Sequence, residues 1–144
     1  MILTLDGKRY SVIDNCLKDN TVTTLVDDIV IYKKVRNNIV LALKVPAGSY
    51  YFALDPYSDY YDRAKIRVNI AEVLMAFKIK RGKYADEYTV TVDESMVYTS
   101  QWDIHFIYTV GGIVKPWLQF DMNPIACASG IHGFLNPVHA VYWN

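Results

Sequence analysis

Ile29-Val30-Ile31-Tyr32-Lys33-Lys34-Val35, Arg36-Asn37-Asn38 and Ile39-Val40-Leu41-Ala42-Leu43-Lys44-Val45 form the stretch that decides the fold. β-Branched and aromatic residues suit a pleated, half-buried strand. They flank a polar triplet in which asparagine, the non-glycine residue that best accepts left-handed backbone, occurs twice. The stretch therefore predicts a hairpin. Its second arm is apolar at nearly every position, which predicts a central strand covered on both faces.

Outward from this hairpin the pattern stays short and alternating. Toward the N-terminus, Ile2–Leu5 and Lys8–Ile13 flank Asp6-Gly7, whose residues tolerate the positive φ angles of a two-residue turn, and so predict another hairpin. Asp14–Asn20 reads as a loop or one helical turn, and Thr21–Val26 as a short strand. Downstream, Tyr50–Leu54, Ala64–Ile70, Tyr88–Val92, Met96–Thr99 and Ile104–Val110 read as strands, with turns at Pro46-Ala47-Gly48, Lys80–Lys83, Asp93–Ser95 and Gly111-Gly112. Asp55–Asp62 is a polar, aromatic loop. Ala71–Phe77 is ambiguous, because Ala, Glu, Leu and Met favour helix where the neighbours favour sheet. The one good helix start is Asn136, an N-cap type followed by Pro137 at the first helical position and by Val138–Trp143. Seven or more short strands with a single short helix predict a mainly β (α+β) fold of antiparallel or mixed, strongly bent sheets.

A chain of 144 residues fits one domain, 1–144, in which residues 1–28 form an N-terminal hairpin extension. Fifteen basic and fifteen acidic residues cancel, and no run of either sign predicts a grip on duplex nucleic acid or on an anionic membrane. No apolar run approaches the ~18 residues of a membrane span, and the apolar start meets Asp6 too soon for a leader's core. Two cysteines, Cys16 and Cys127, are too few for the disulfide framework of a secreted domain. The expectation is a soluble protein of the cytoplasm. Twelve tyrosines suit half-buried sheet positions, interfaces and stacking sites for planar ligands.

Chemistry-bearing residues concentrate in Asn123–Asn144, which holds two of the three histidines and one of the cysteines. Cys127 and His132 are five residues apart, a weak signal for a thiol nucleophile, since spacing does not bring such pairs together and buried, inert cysteine is commoner. Cys127, His132 and His139 offer no zinc-type spacing, so no metal and no cofactor is expected. The glycines form no phosphate loop. The acidic pairs Asp27-Asp28 and Asp93-Glu94 sit in turns, where solvated carboxylates are ordinary. Lys65, Arg67, Lys78, Lys80 and Lys83 would make a basic strip if their strands are neighbours, and such a strip would hold an anion or nucleotide.

Phe106–Gly111, Val114-Lys115-Pro116 and Cys127-Ala128-Ser129-Gly130-Ile131-His132, in that order, carry a family resemblance. With Tyr32-Lys33-Lys34, Ile39–Pro46 and the Arg63–Leu74 region upstream, residues 29–143 resemble an uncharacterised domain of phage and large-virus proteins that often follows pentapeptide repeats. This sequence differs from that domain at Gly133, usually aromatic there, and at Ala126, usually acidic, and it carries no pentapeptide repeat. The resemblance implies a free-standing version of viral origin and brings no established activity.

Three readings follow. The first is a non-enzymatic viral accessory protein of phage type that sequesters a nucleotide-like host immune signal or blocks a host defence protein, stacking the ligand on tyrosine and neutralising its phosphate with basic residues. Its expected site is Tyr32, Lys33, Lys65, Arg67, His132 and Tyr142. The second is an enzyme: Tyr32-Lys33-Lys34 and Gly130-Ile131-His132 are distantly similar to the NAD-holding segments of ADP-ribosyltransferases, though that family's Ser-Thr-Ser and terminal glutamate motifs are absent. The third is an assembly module in which exposed tyrosines and strand edges build a homo-oligomer. The expected site depends on the terminal segment folding back over the sheet as a glycine-hinged turn and short helix.

Overall fold

The computed structural model describes residues 2–5, 8–11, 17–18, 20–81, 83, 88–124 and 128–143, at 2–5, 8–11 and 81 for the backbone alone. Thirteen strands and one helix run along these residues: β1 (Ile2–Leu5), β2 (Lys8–Ser11), β3 (Thr23–Thr24), β4 (Ile29–Lys34), β5 (Val40–Val45), β6 (Tyr50–Ala53), β7 (Ile66–Val68), β8 (Ala71–Arg81), β9 (Tyr88–Asp93), β10 (Val97–Thr99), β11 (Ile107–Thr109), β12 (Ile113–Val114), β13 (Ile131–Gly133) and α1 (Pro137–Tyr142). The fold is mainly β, its sheets curled and antiparallel, with one short C-terminal helix.

The deciding hairpin forms as its residues dictate. Asn37 and Asn38 take φ of 64° and 58°, and Lys34 pairs with Val40 across the turn. β5 lies between β4 and β8 in a sheet ordered β12-β8-β5-β4, with β9 also on β8. A second sheet runs β13-β7-β6-β3. The two meet where Tyr32 N donates to Phe134 O at 2.7 Å and Phe134 N donates to Tyr32 O at 2.9 Å, so β13 continues the sheet past β4. β1 and β2 pair antiparallel with Leu5 opposite Lys8, as the expected hairpin requires, and its turn residues Asp6 and Gly7 lie outside the described residues.

Alternation along β4 and β5 divides the core. Ile29, Ile31, Leu41, Leu43 and Val45 face the inside of the curl, with Tyr51, Ile66, Val68 and Ile131 from the second sheet. Tyr32, Val40 and Ala42 face outward, under Phe77, Phe134 and Ala140. Both faces of β5 are thus covered, as its unbroken apolar run requires.

Ala71–Phe77, ambiguous by propensity, is strand. Between Val73 and Met75 the register with β5 slips, so that Leu43 faces Val73 while Ala42 faces Met75. This bulge flips the phase: Ala71, Val73 and Ala76 point into the inner core and Phe77 into the outer one. β8 also carries on through Lys80 and Arg81, where the sequence predicts a turn. The strand expected over Ile104–Val110 is cut to Ile107–Thr109, because Asp103 Oδ1 accepts from His105 N at 2.9 Å and Phe106 N donates to Asp103 O at 3.1 Å, holding the preceding residues in a turn.

The terminal segment folds back over the sheet. Asn136 caps α1, its side chain accepting from Val138 N at 2.9 Å, with Pro137 at the first helical position. Ahead of the helix lies β13, a strand where the sequence predicts only a glycine-hinged turn; Ile131, His132 and Gly133 pair with Val68, Arg67 and Ile66. Gly133 permits the close approach: a Cβ there would lie 2.9 Å from Ile31 Cδ1 and 3.0 Å from Tyr32 O. No helix among the described residues is long and apolar enough to cross a membrane.

Candidate functional site

The junction of β4, β13 and α1 leaves a cavity of about 320 Å³ at the sheet edge. Lys33, Lys34 and Lys65 line it, with His132, Trp102 and Trp143. None of the described residues that line it is acidic, in a chain whose charges otherwise balance.

Each lysine is positioned by its element. Lys33 projects from β4 toward β13, its Nζ donating to His132 O at 3.2 Å. Lys34 reaches the other way, its Nζ donating to Val141 O at the end of α1, also at 3.2 Å. A carbonyl at a helix C-terminus favours a cation. Lys65, just ahead of β7, holds its Nζ 4.7 Å from the centroid of the Trp143 ring. Neighbouring residues of a strand point to opposite faces, yet Lys33 and Lys34 share this cavity because it lies at the edge of β4, within reach of long side chains from both faces.

Burial pushes the Lys33 ammonium down to about 8, with the positive charge of Lys65 adding to the effect. The charge of an anion entering the cavity would offset both effects. His139, on α1, packs its ring edge-on to Phe134 at 6.2 Å; burial lowers its pKa, and the hydrogen bond it donates to the Asp59 main-chain carbonyl, with the charge of Asp59, opposes that.

A second cavity of about 390 Å³ adjoins the first and shares Lys33, Trp102 and His132 with it. Its lining is aromatic. Phe106 lies 5.1 Å from Tyr108 and 5.6 Å from Trp117, and Trp117 is 65% exposed. The loop joining β10 to β11 forms one wall and is anchored from the turn between β4 and β5: Arg36 Nε donates to Ser100 O at 3.1 Å, and Ser100 Oγ accepts from Trp102 N at 3.3 Å. Asp103 is the one acidic residue among those described along this cavity.

Of the six residues expected at the site, Lys33, Lys65 and His132 come together. Tyr32, Arg67 and Tyr142 do not line the cavity. Tyr32 is fully buried in the outer core, edge-on to Phe77 at 6.1 Å; alternation turns it away from Lys33. Tyr142 is exposed on α1, and Trp143, the next residue, supplies the aromatic wall.

Arg67 is 1% exposed. Its guanidinium lies between Phe120, at 4.6 Å, and Phe52, at 5.2 Å. It donates to Asp121 O at 2.5 Å, to Ser129 O at 3.3 Å and to Asn123 O. Burial lowers its pKa and the charge of Asp121 opposes that. Here it acts as a clamp: it ties both ends of the 121–129 segment to β7, and so fixes the wall that Ala128–Gly130 adds to the aromatic cavity. Gly130 is part of this packing, since a Cβ there would lie 3.2 Å from Arg67 Cβ and from Phe120 Cδ2.

The basic strip expected along Lys65, Arg67, Lys78, Lys80 and Lys83 does not form. β7 belongs to the second sheet and β8 to the first, so the strands are not neighbours. Lys34, Trp102 and Trp143 were the residues to find instead. For Lys34 the signal was its place beside Lys33 at the end of an edge strand; for Trp143, its place just past a helix that folds back onto that strand. Cys127, the proposed partner of His132, lies outside the described residues, as does Cys16.

Fold and site together define a small antiparallel β protein with a basic cavity opening into an aromatic one. The chain belongs to DUF5758, a family of unknown function, which it matches over residues 19–140. Neither the curated proteins nor the solved structures compared with it gave a match.

Proposed function

We propose that this protein is a binding module for a phosphate-bearing small molecule, taken up in the cavity of Lys33, Lys34 and Lys65. The observation that supports it most is the convergence of three lysines, two from the end of β4 and one from just ahead of β7, on a concave site lined by no described carboxylate. Lys33 and Lys34 spend their donors on main-chain carbonyls, which orient the ammonium groups without neutralising them. Phosphate is the anion that suits several ammonium donors at once, and the adjacent indoles favour a ligand that also carries an apolar or planar part.

The resemblance to domains of phages and large viruses suggests where such a module works. In a host cytosol it would sequester a nucleotide-like signal, removing it from a defence pathway without turning it over. Isothermal titration at pH 7 and low salt tests the binding. Pyrophosphate, mononucleotides, cyclic nucleotides and ADP-ribose form the panel, and a saturable heat is expected for at least one of them. That heat should weaken at least tenfold in the Lys34→Met, Lys65→Met double variant. Flat traces throughout would contradict the proposal.

A second reading, a module that docks a host protein or a second copy of itself, draws on exposed apolar side chains. Ile104, Ile107, Ile113 and Leu118 are each more than half exposed in the same part of the chain. Light scattering at high concentration would show a mass above that of one chain if self-association is their use, and a strictly monomeric mass if it is not.

A further inference from the structure

The proposal of an anion site leaves the aromatic cavity beside it without a use. The two cavities are contiguous: Lys33, Trp102 and His132 form part of the wall of each. Their characters are opposite. One gathers three lysines and the other gathers Phe106, Tyr108 and Trp117 around a single acidic residue, Asp103.

Resting on the anion-site reading, we infer that the two cavities are subsites for one ligand, a nucleotide whose phosphates lie on the lysines and whose base lies in the aromatic cavity. Three observations set this orientation. The Trp143 indole in the basic cavity is already engaged by Lys65, at 4.7 Å, and by Phe134 and Tyr61, whose centroids lie 5.8 and 6.3 Å away, so it is a poor platform for a base. Trp117 touches Phe106 and still exposes 65% of its surface, which leaves ring area for stacking. Asp103 places a carboxylate at the aromatic end, where it repels phosphate and accepts a hydrogen bond from a base amino or imino group; its Oδ1 takes one from His105 N, which holds it in place. Lys33, common to both cavities, then stands between base and phosphate, where the phosphate nearest the sugar would lie.

The fit also sets the ligand's size. Each cavity alone is at the small end of ligand sites, and the pair together accommodates a nucleoside polyphosphate. Inorganic polyphosphate would fill the basic subsite only.

The test compares tripolyphosphate, ATP and GTP on the full chain by isothermal titration, with wild type, Trp117→Ala and Trp117→Tyr. At least one nucleoside triphosphate should bind ten or more times tighter than tripolyphosphate. Trp117→Ala should abolish that advantage while leaving tripolyphosphate affinity unchanged, and Trp117→Tyr should restore most of it. Because Trp117 is exposed, the variants keep the fold. Equal affinity for tripolyphosphate and both nucleotides would overturn the two-subsite inference and leave the anion site standing. An equal loss of tripolyphosphate and nucleotide binding in Trp117→Ala would overturn it as well. No binding of any of the three would remove the anion site and this inference with it.

Discussion

At the scale of the residue, two cations on strands of different sheets meet opposite fates. Arg67 is held by aromatic faces and three main-chain carbonyls and serves the fold. Removing it strands those carbonyls and opens a cavity between Phe52 and Phe120. Arg67→Met should therefore cost about 3–5 kcal/mol in urea unfolding, and Arg67→Lys should recover little, because an ammonium cannot serve three carbonyls in a planar fork. Lys33 is held less completely and its protonation is disfavoured, with a pKa near 8 against the ordinary 10.5. Between these two values the unfolded chain keeps a proton that the folded chain has released. Stability should accordingly rise as pH climbs through that window, and the penalty should be fully present below pH 8. Lys33→Met removes the penalty: the variant should be more stable at pH 7 by on the order of 2–3 kcal/mol and should lose the wild-type gain between pH 8 and 10.5, as measured by chemical denaturation across pH.

Among the elements, β13 and α1 decide whether a site exists, because they carry the walls that face β4. Gly133 lies against Ile31 and the Tyr32 carbonyl, so Gly133→Val should push β13 away from β4, costing about 1–3 kcal/mol in unfolding free energy. The same variant should weaken anion binding, since His132 O would no longer orient Lys33. Asn136→Ala removes the cap on α1 and should cost about 1 kcal/mol, visible as a lower thermal midpoint. These elements were unequally legible in the sequence. Asn136-Pro137 announces the helix because capping chemistry is local, and Asn37-Asn38 announces the turn for the same reason. β13 was not legible: Ile131-His132-Gly133 is too short for a period, and it is a strand because two edges, β7 and β4, were left for it to bridge. β8 hid its nature behind helix-favouring residues, whose preference yielded to burial on both faces of the sheet.

At the scale of the whole molecule, the meeting of the two sheets brings residues 33, 34, 65, 102, 132 and 143 around one cavity, and no local pattern foretold the full grouping. Alternation alone would have separated Tyr32 from Lys33, and it was available from the sequence. The Arg67 clamp was not, since its partners are main-chain carbonyls more than fifty residues away. The chain's zero net charge conceals the local imbalance that suits it to anions, because none of the described residues lining the cavity is acidic. An anion in the cavity must raise the depressed pKa of Lys33, so binding should take up protons near pH 8 and affinity should fall by up to about tenfold per pH unit above it. The most direct measurement is nuclear magnetic resonance of the lysine side chains, labelled with nitrogen-15, titrated across pH with and without tripolyphosphate. One lysine, absent from the spectrum of Lys33→Met, should titrate near pH 8 in the free protein and move toward the ordinary lysine range when tripolyphosphate is added. Lysines that all titrate in the ordinary range, or a depressed one that tripolyphosphate leaves unmoved, would contradict the account.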